Sequence, residues 1–498
     1  MHKLNSEIIC YLMGVLLLFN GGFMLLSSFV SMLTKDGKSF ELTLASLLTL
    51  LVGIILMLIT RNHIKQINKR EGYLIVTLGW LLMTLSGMLP YLFTNVFSDF
   101  FSAFFETMSG YTTTGSSVLA DIESVPKGVL FWRSTTHWIG GMGIIVLAIA
   151  ILPLLGIGGM QLFTAEAPGP SSDKLHPRIT DTAKRLWFIY VGYTLIETIL
   201  LWIAGMSFFD AINHAMSTVS TGGFSTKNAS IAHWNAQPII QYIIIIFMFL
   251  AGVNFVMSYF AFTAKFKKII RDEEFRFFSI MILSASIVVG FILYNTVDIT
   301  QSSFDHPIVF GEVESVFRHA FFQVIAVVTT TGFVTADFTV WSSFLTIVFF
   351  GLMFMGGSAG STSGGVKGVR HYLMIKSGLL EFKRALHPNA VLQVRYNQSV
   401  VQENVIHNLY GFFILYMLSF IIGSLGFGLL GLDFMSAIGV SASSLGNVGP
   451  ALGEFGPSSS FYNMSDAAKL WASFLMLIGR LELFTVLIIF SPSFWKKI

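Results

Sequence analysis

Along the chain, apolar runs long enough to cross about 30 Å of hydrocarbon fall near residues 8–33, 41–60, 73–97, 136–160, 186–206, 238–263, 277–295, 343–372, 404–430 and 468–490. A helix satisfies its own backbone N–H and C=O groups, which lipid cannot do. The pattern therefore predicts an all-α polytopic membrane protein with ten transmembrane helices. The first run is too long for a cleavable signal peptide, lacks a small-residue cleavage site and is soon followed by a second. The polar segments between runs alternate in character. Those after even-numbered runs hold most of the 30 Lys and Arg residues, among them Arg61, Lys65, Lys174, Arg178, Lys265, Lys268 and Arg384. The positive-inside rule makes that side cytoplasmic, with both termini on it. Acids such as Asp99, Asp121, Asp210, Asp337 and Asp466 fall on the other side. Together they would make an outer face that concentrates cations.

Composition agrees with the pattern and adds exclusions. Of 498 residues, 54% are hydrophobic and only 11% charged, whereas an ordinary soluble domain carries about 25% charge. That excludes a soluble multidomain chain and a disordered one. The single cysteine, Cys10, excludes a disulfide-stapled secreted domain. A formal net charge of +3 carries no nucleic-acid signal. The 45 glycines need a purpose, because glycine weakens helices.

Part of that purpose is a repeat. The outward segments after the third, fifth, seventh and ninth runs each open with a short run able to form a half-helix and end in a polar tract containing glycine. They read FFETMSGYTTTGS (104–116), INHAMSTVSTGGF (212–224), FQVIAVVTTTGF (322–333) and MSAIGVSASSLGNVGP (435–450). Gly115, Gly223, Gly332 and Gly449 align at separations of 108, 109 and 117 residues. Four copies of helix, pore loop and helix predict a pseudo-fourfold arrangement around one pore. The expected divisions are an N-terminal two-helix extra domain at 1–70 and repeats at 71–170, 171–270, 271–395 and 396–498.

A dehydrated cation needs oxygen ligands in place of water, and a ring of four extended segments supplies carbonyls without fixed charge. Glycine tolerates the φ/ψ values that an inward-facing carbonyl chain demands. The half-helix aims its partly negative C-terminal end at the same point. The candidate filter residues are Thr113, Thr114 and Gly115; Thr221, Gly222 and Gly223; Thr330, Thr331 and Gly332; and Asn447, Val448 and Gly449. Gly222 and Gly223 compete for the aligned place in the second copy. A single Thr-Gly turn between spans would need no such reading; four in register do.

The eighth run is interrupted by GGSAGSTSGG, followed by Val366 and Lys367. Five glycines in ten residues cannot hold a stable helix, and non-helical backbone at membrane depth survives only inside protein or along a water-filled cavity. A small-residue packing face would explain GxxxG but not this density, and no Walker A Lys-Ser/Thr follows. Gly356, Gly357, Gly360, Gly364, Gly365 and Lys367 are expected to form a flexible intramembrane loop below the filter that blocks or opens the path. In the last run Arg480 and Glu482 stand two apart, so each needs a partner elsewhere. Arg480 is expected to face the pore near the glycine-rich tract, the alternative being an ion pair with Glu197. His137, His214 and His319 have no metal-ligand spacing, and His137 is expected to make a helix contact.

Taken together, SGYTTTGS, HWIGGMG (137–143), STGGFST, TTTGF, GGSAGSTSGGVK (356–367) and GRLELFT (479–485) resemble the Trk/Ktr/HKT superfamily of potassium transporters. The two extra N-terminal spans point to its bacterial TrkH branch. The resemblance implies channel-like potassium uptake through a carbonyl filter, with the potassium ion as the bound species and no catalytic residues. It implies a homodimer in the lipid bilayer of the bacterial inner membrane. It also implies a cytoplasmic ring of nucleotide-binding, TrkA-like RCK subunits, so that nucleotide regulation enters only through the partner. In this family glycine at all four filter positions favours potassium, while serine at the first leans towards sodium. Pro450 after the fourth glycine departs from the family pattern. A proton- or sodium-coupled symporter using the same pore is the competing reading. A membrane enzyme would want clustered acids or histidines in the spans, which the runs lack.

Overall fold

The computed structural model describes residues 4–61, 68–141, 143, 179–297, 304–390 and 392–496. Helix dominates them. The only sheet among the described residues is an antiparallel hairpin pairing Arg395–Tyr396 with Ser399–Val400. Among the described residues, six helices are long and apolar enough to cross a membrane: Ser6–Thr34, Ser39–Ile59, Arg70–Phe93, Lys184–Ile203, Glu273–Thr296 and Glu403–Leu429. Two bent pairs would bring the number to eight. Most of the apolar run at 136–160 lies outside the described residues.

After the N-terminal pair, three kinds of helix alternate along the chain. Long outer helices at Lys69–Gly87, Ile179–Ile203, Glu273–Thr296 and Glu403–Leu429 are followed by lead-in helices at Phe100–Tyr111, Phe208–Val219, Glu312–Val328 and Phe434–Gly446. Return helices at Lys127–Gly141, Pro238–Gly252, Ser343–Leu352 and Asp466–Arg480 come next. Side-chain caps start several of them. Asp99, Ser207 and Asp433 accept backbone N–H groups at the heads of three lead-in helices, satisfying donors that the first turn leaves open.

Several runs that read as continuous are broken. The third stops at Gly87 and resumes as the short helix Leu89–Phe93, with Pro90 in its first turn. The sixth bends by 110° between Gly252 and Phe255, where the Asn254 side chain accepts the N–H of Val256 and starts a new helix. The tenth bends by 109° after Arg480, at Glu482 and Leu483, both with left-handed φ (54° and 56°). Hydropathy does not register such breaks, because the residues on either side stay apolar. The eighth run breaks where expected: helix ends at Leu352 and restarts at Gly368.

The core is packed in two large clusters. One gathers Trp80, Tyr111, Trp132 and Leu475; the other gathers Ile244, Phe278, Val327 and Phe349. Phe29, Leu58, Ile203, Phe291 and Leu425 point outward and are exposed, as lipid-facing side chains would be. Hydroxyls and amides collect at the centre, where Thr112, Thr113, Thr221, Thr329, Thr330 and Asn447 are fully buried.

Candidate functional site

Each lead-in helix ends in the same way. Two residues before the aligned glycine the chain turns left-handed, at Thr113 (φ 53°), Thr221 (55°), Thr330 (56°) and Asn447 (53°). The next backbone N–H reaches back into the helix: Thr114 to Ser109 O (2.9 Å), Gly222 to Ser217 O (2.8 Å), Thr331 to Ala326 O (2.8 Å) and Val448 to Ser443 O (2.9 Å). This is the Schellman arrangement, which usually puts glycine or asparagine at the left-handed position. Three copies use threonine instead, and a β-branched residue there carries strain of order 1–3 kcal/mol, a feature that clusters at functional sites. The aligned glycines then take positive φ as well: Gly115 at 86°, Gly223 at 80°, Gly332 at 74° and Gly449 at 104°.

These four segments close into a ring. A β-carbon on Gly115 would strike the carbonyl oxygen of Gly222; on Gly223, that of Thr331; on Gly332, that of Val448. On Gly449 it would lie 2.6 Å from the carbonyl oxygen of Thr114. Every glycine thus abuts the carbonyl that precedes the glycine of the next segment, in chain order and back to the first. Neutral bonds tie the last joint: Asn447 Nδ2 donates to Thr114 Oγ1 (3.0 Å) and the Ser116 hydroxyl to Gly449 O (2.9 Å). Pro450 packs against Gly332, 2.8 Å from where a β-carbon would stand.

The geometry separates Gly222 from Gly223. Gly223 has the left-handed φ and the ring position of Gly115, whereas Gly222 takes the place of Thr114. Gly222 is small for another reason: a β-carbon there would run into the imidazole of His137. That histidine is buried and stacks on Phe224 with centroids 3.8 Å apart. Its Nδ1 also lies 3.4 Å from Ser217 Oγ on the second lead-in helix. Gly222→Ala is expected to lower the unfolding midpoint of the purified protein through overpacking of about 1–3 kcal/mol. Adding His137→Ala should recover much of that loss, since the two sites are in contact. Additive effects in the double variant would contradict the assignment.

The interrupted tract lies against the ends of these segments that join the lead-in helices, and it touches several of them. Gly364 N–H donates to Thr330 Oγ1 (2.7 Å), and a β-carbon on Gly364 would be 2.8 Å from Cβ of Asn447. Thr362 Oγ1 donates to Val219 O (3.0 Å) at the end of the second lead-in helix. Gly360 and Gly365 take positive φ (73° and 65°), and Lys367 folds back so that its ammonium donates to Ser363 O. Gly356 and Gly357 pack so closely that β-carbons would meet Gly364 O at 2.5 Å and Gly252 O at 2.6 Å.

Arg480 reaches the tract directly. Its guanidinium donates to Thr362 O (2.7 Å) and to Gly140 O (2.6 Å) and Gly141 O (3.1 Å) at the end of the first return helix. The alternative pairing with Glu197 does not form: both Glu197 carboxylate oxygens are buried without a hydrogen-bond partner among the described residues. Glu482 pairs instead with Arg370, whose guanidinium lies 3.9 Å above the Phe412 ring. Sequence reasoning missed Glu274, whose Oε1 accepts the N–H of Ala359 (2.7 Å) and of Val369 (3.1 Å) and so holds both ends of the tract. It stands in the first turn of the helix Glu273–Thr296, after a basic stretch and next to Asp272 and Glu273, and nothing in the sequence distinguishes it from solvated charge.

The whole chain is similar to known proteins. A family model described as TrkH, cation transport protein, matches residues 38–497. The Trk system potassium uptake protein TrkH of Salmonella typhimurium is 39% identical over 500 residues, covering 99% of this chain and 100% of that one. The Trk system potassium uptake protein TrkG of Escherichia coli is 34% identical, with each chain covered completely. The crystal structure of the potassium transporter TrkH from Vibrio parahaemolyticus superposes with a TM-score of 0.87 at 36% identity, covering 99% of this chain and 100% of that one.

Proposed function

Because the chain belongs to the TrkH family of cation transport proteins, we propose that it is the membrane subunit of a potassium uptake system, passing the ion through the ring of four glycine segments. The observation that carries this reading is the closed ring, in which each positive-φ glycine meets the carbonyl preceding its neighbour. A carbonyl ring replaces the hydration shell of a monovalent cation without adding fixed charge. The left-handed residue and the glycine on each segment turn the backbone away from ordinary strand geometry, so carbonyls can face a common axis. The four lead-in helices direct their C-terminal ends at this point, where partial negative charge favours a cation.

In this reading the chain makes ten crossings: two N-terminal helices outside the pore and four helix–loop–helix repeats at 71–170, 171–270, 271–395 and 396–498. Thr113, Thr221, Thr330 and Asn447 stand at the inner end of the filter, and the tract from Gly356 to Lys367 is the gate beneath it. Arg480 adds a positive charge there and holds the tract to the first return helix. Arg480→Ala is expected to raise potassium uptake several-fold by releasing the tract and removing the charge. Unchanged uptake would make Arg480 a packing residue.

The potassium uptake assignment supports a bacterial inner-membrane location with both termini cytoplasmic, a homodimer, and an RCK ring on the cytoplasmic face through which nucleotides act. The basic stretch 367–395, with Lys383 and Arg395 exposed, is suited either to docking an acidic partner of this kind or to anchoring on anionic lipid. The deciding experiment is ion flux into proteoliposomes holding the purified chain, under potassium or sodium gradients, with and without a pH gradient. Potassium uptake that ignores pH and sodium supports a channel, and dependence on either supports coupled symport. Absence of potassium flux overturns the assignment.

A further inference from the structure

Nine residues before each ring glycine, on the lead-in helix, stand Glu106, His214, Gln323 and Val440. The first three bond to the chain just beyond the glycine. Glu106 Oε2 accepts the N–H of Val118 (2.8 Å), and both its oxygens face the Ser117 hydroxyl (2.9 and 3.1 Å). His214 Nε2 lies 2.9 Å from Ser225 Oγ, and the Gln323 amide 3.2 Å from Thr335 Oγ1. Val440 can make no such bond. Each polar member is a strut between its helix and the outgoing strand.

Only the first strut carries an ion pair. Arg133, on the first return helix, donates from Nε to Glu106 Oε1 (2.6 Å) and from Nη1 to Ser225 O (2.9 Å). Its guanidinium carbon sits 3.5 Å from the centroid of Phe224. His137, one turn further along the same helix, stacks on Phe224 at 3.8 Å with planes 12° apart. Two groups cannot occupy one face at those distances, so Phe224 is held between them. Arg133 therefore grips the strand after Gly115 through Glu106 and the strand after Gly223 through Phe224 and Ser225. Of the ion pairs among the described residues, it is the one with both side chains sealed from solvent, at 3% and 0% exposed. The joint between the second and third strands uses neutral bonds, such as Ala232 N–H to Val334 O (2.9 Å).

We propose that Arg133 and Glu106 are positioning residues that fix the spacing of the first two ring segments and thereby set the preference for potassium over sodium. The inference rests on reading the ring as the filter. A guanidinium is suited to the task because its planar fork serves carboxylate, carbonyl and ring face together. The carbonyl abutting Gly115 belongs to Gly222, two residues from the clasped ring, so movement of Phe224 passes directly into the ion-facing oxygens.

The test measures the potassium-to-sodium uptake ratio of the purified full-length chain in liposomes, alongside its elution profile and unfolding midpoint. Arg133→Lys keeps a charge near Glu106 but loses the fork and the planar stack. The double variant Arg133→Leu with Glu106→Val removes the pair without stranding a buried charge and copies the apolar choice at Val440. Both are expected to lower the ratio fivefold or more while eluting as folded protein. A ratio unchanged in either folded variant overturns the inference and leaves the pair a purely structural one. If the unaltered chain passes potassium and sodium equally, the filter reading itself fails and this inference falls with it.

Discussion

Gly223→Ala is expected to lower potassium uptake into proteoliposomes by roughly a hundredfold, equivalent to about 2.7 kcal/mol in the barrier. Two penalties combine at this position. The residue holds φ at 80°, where a side chain costs about 1–2 kcal/mol. The added methyl would also overlap the Thr331 carbonyl oxygen and crowd the carbonyl carbon of Gly332. Both obstacles are backbone, so no rotamer change relieves them, and the ring must open at the joint between its second and third segments. The loss should appear in the rate of uptake by protein that still elutes as a folded species, because the distortion is confined to the ring. Wild-type uptake by this variant would contradict the closed-ring account.

Deleting residues 358–364 should act in the opposite direction and raise uptake about tenfold, a barrier lower by about 1.4 kcal/mol. The excision is structurally plausible because the tract is a loop with neighbouring ends. Met355 and Val366 pair as a parallel bridge, and a β-carbon on Gly365 would lie 3.2 Å from Cα of Gly356. A loop closed in this way can be shortened without stretching its flanks. The deletion removes the bonds of Thr362 to the second lead-in helix and of Gly364 to Thr330. It also removes the Thr362 carbonyl that Arg480 holds. Unchanged flux through the purified deletion variant would show that the tract does not obstruct the path.

Much of this is legible in the sequence. The four aligned glycines stood out because lipid-spanning runs bracket each one at nearly equal spacing, and the tract at 356–367 because its glycine density is incompatible with helix. Arg480 stands out because a charge within an apolar run must find partners in the protein. The choice between Gly222 and Gly223 was not legible. Both are glycine, and only the side of the chain on which His137 stands shows that one is small for packing and the other for φ. The breaks in the sixth and tenth runs were hidden too. At the first an Asn254 cap starts the new helix two residues after Gly252, but Asn20 and Gly21 stand inside the unbroken helix Ser6–Thr34, so these residue types alone do not announce a stop; at the second Glu482 and Leu483 turn left-handed.

Arg133 and Glu106 show the same limit from the other direction. They lie 27 positions apart in sequence, and nothing in the local pattern around either marks them as partners. By itself the sequence determined the membrane class, the fourfold recurrence of the glycine segments and the interruption of the eighth run. Those properties follow from local hydropathy and from backbone freedom, which every residue carries with it. Tertiary structure decided which oxygens meet which glycines, what Arg480 and Glu482 pair with, and which charges are sealed inside. Each of those depends on atoms brought together from distant parts of the chain, and pairing in space leaves no local mark on either partner.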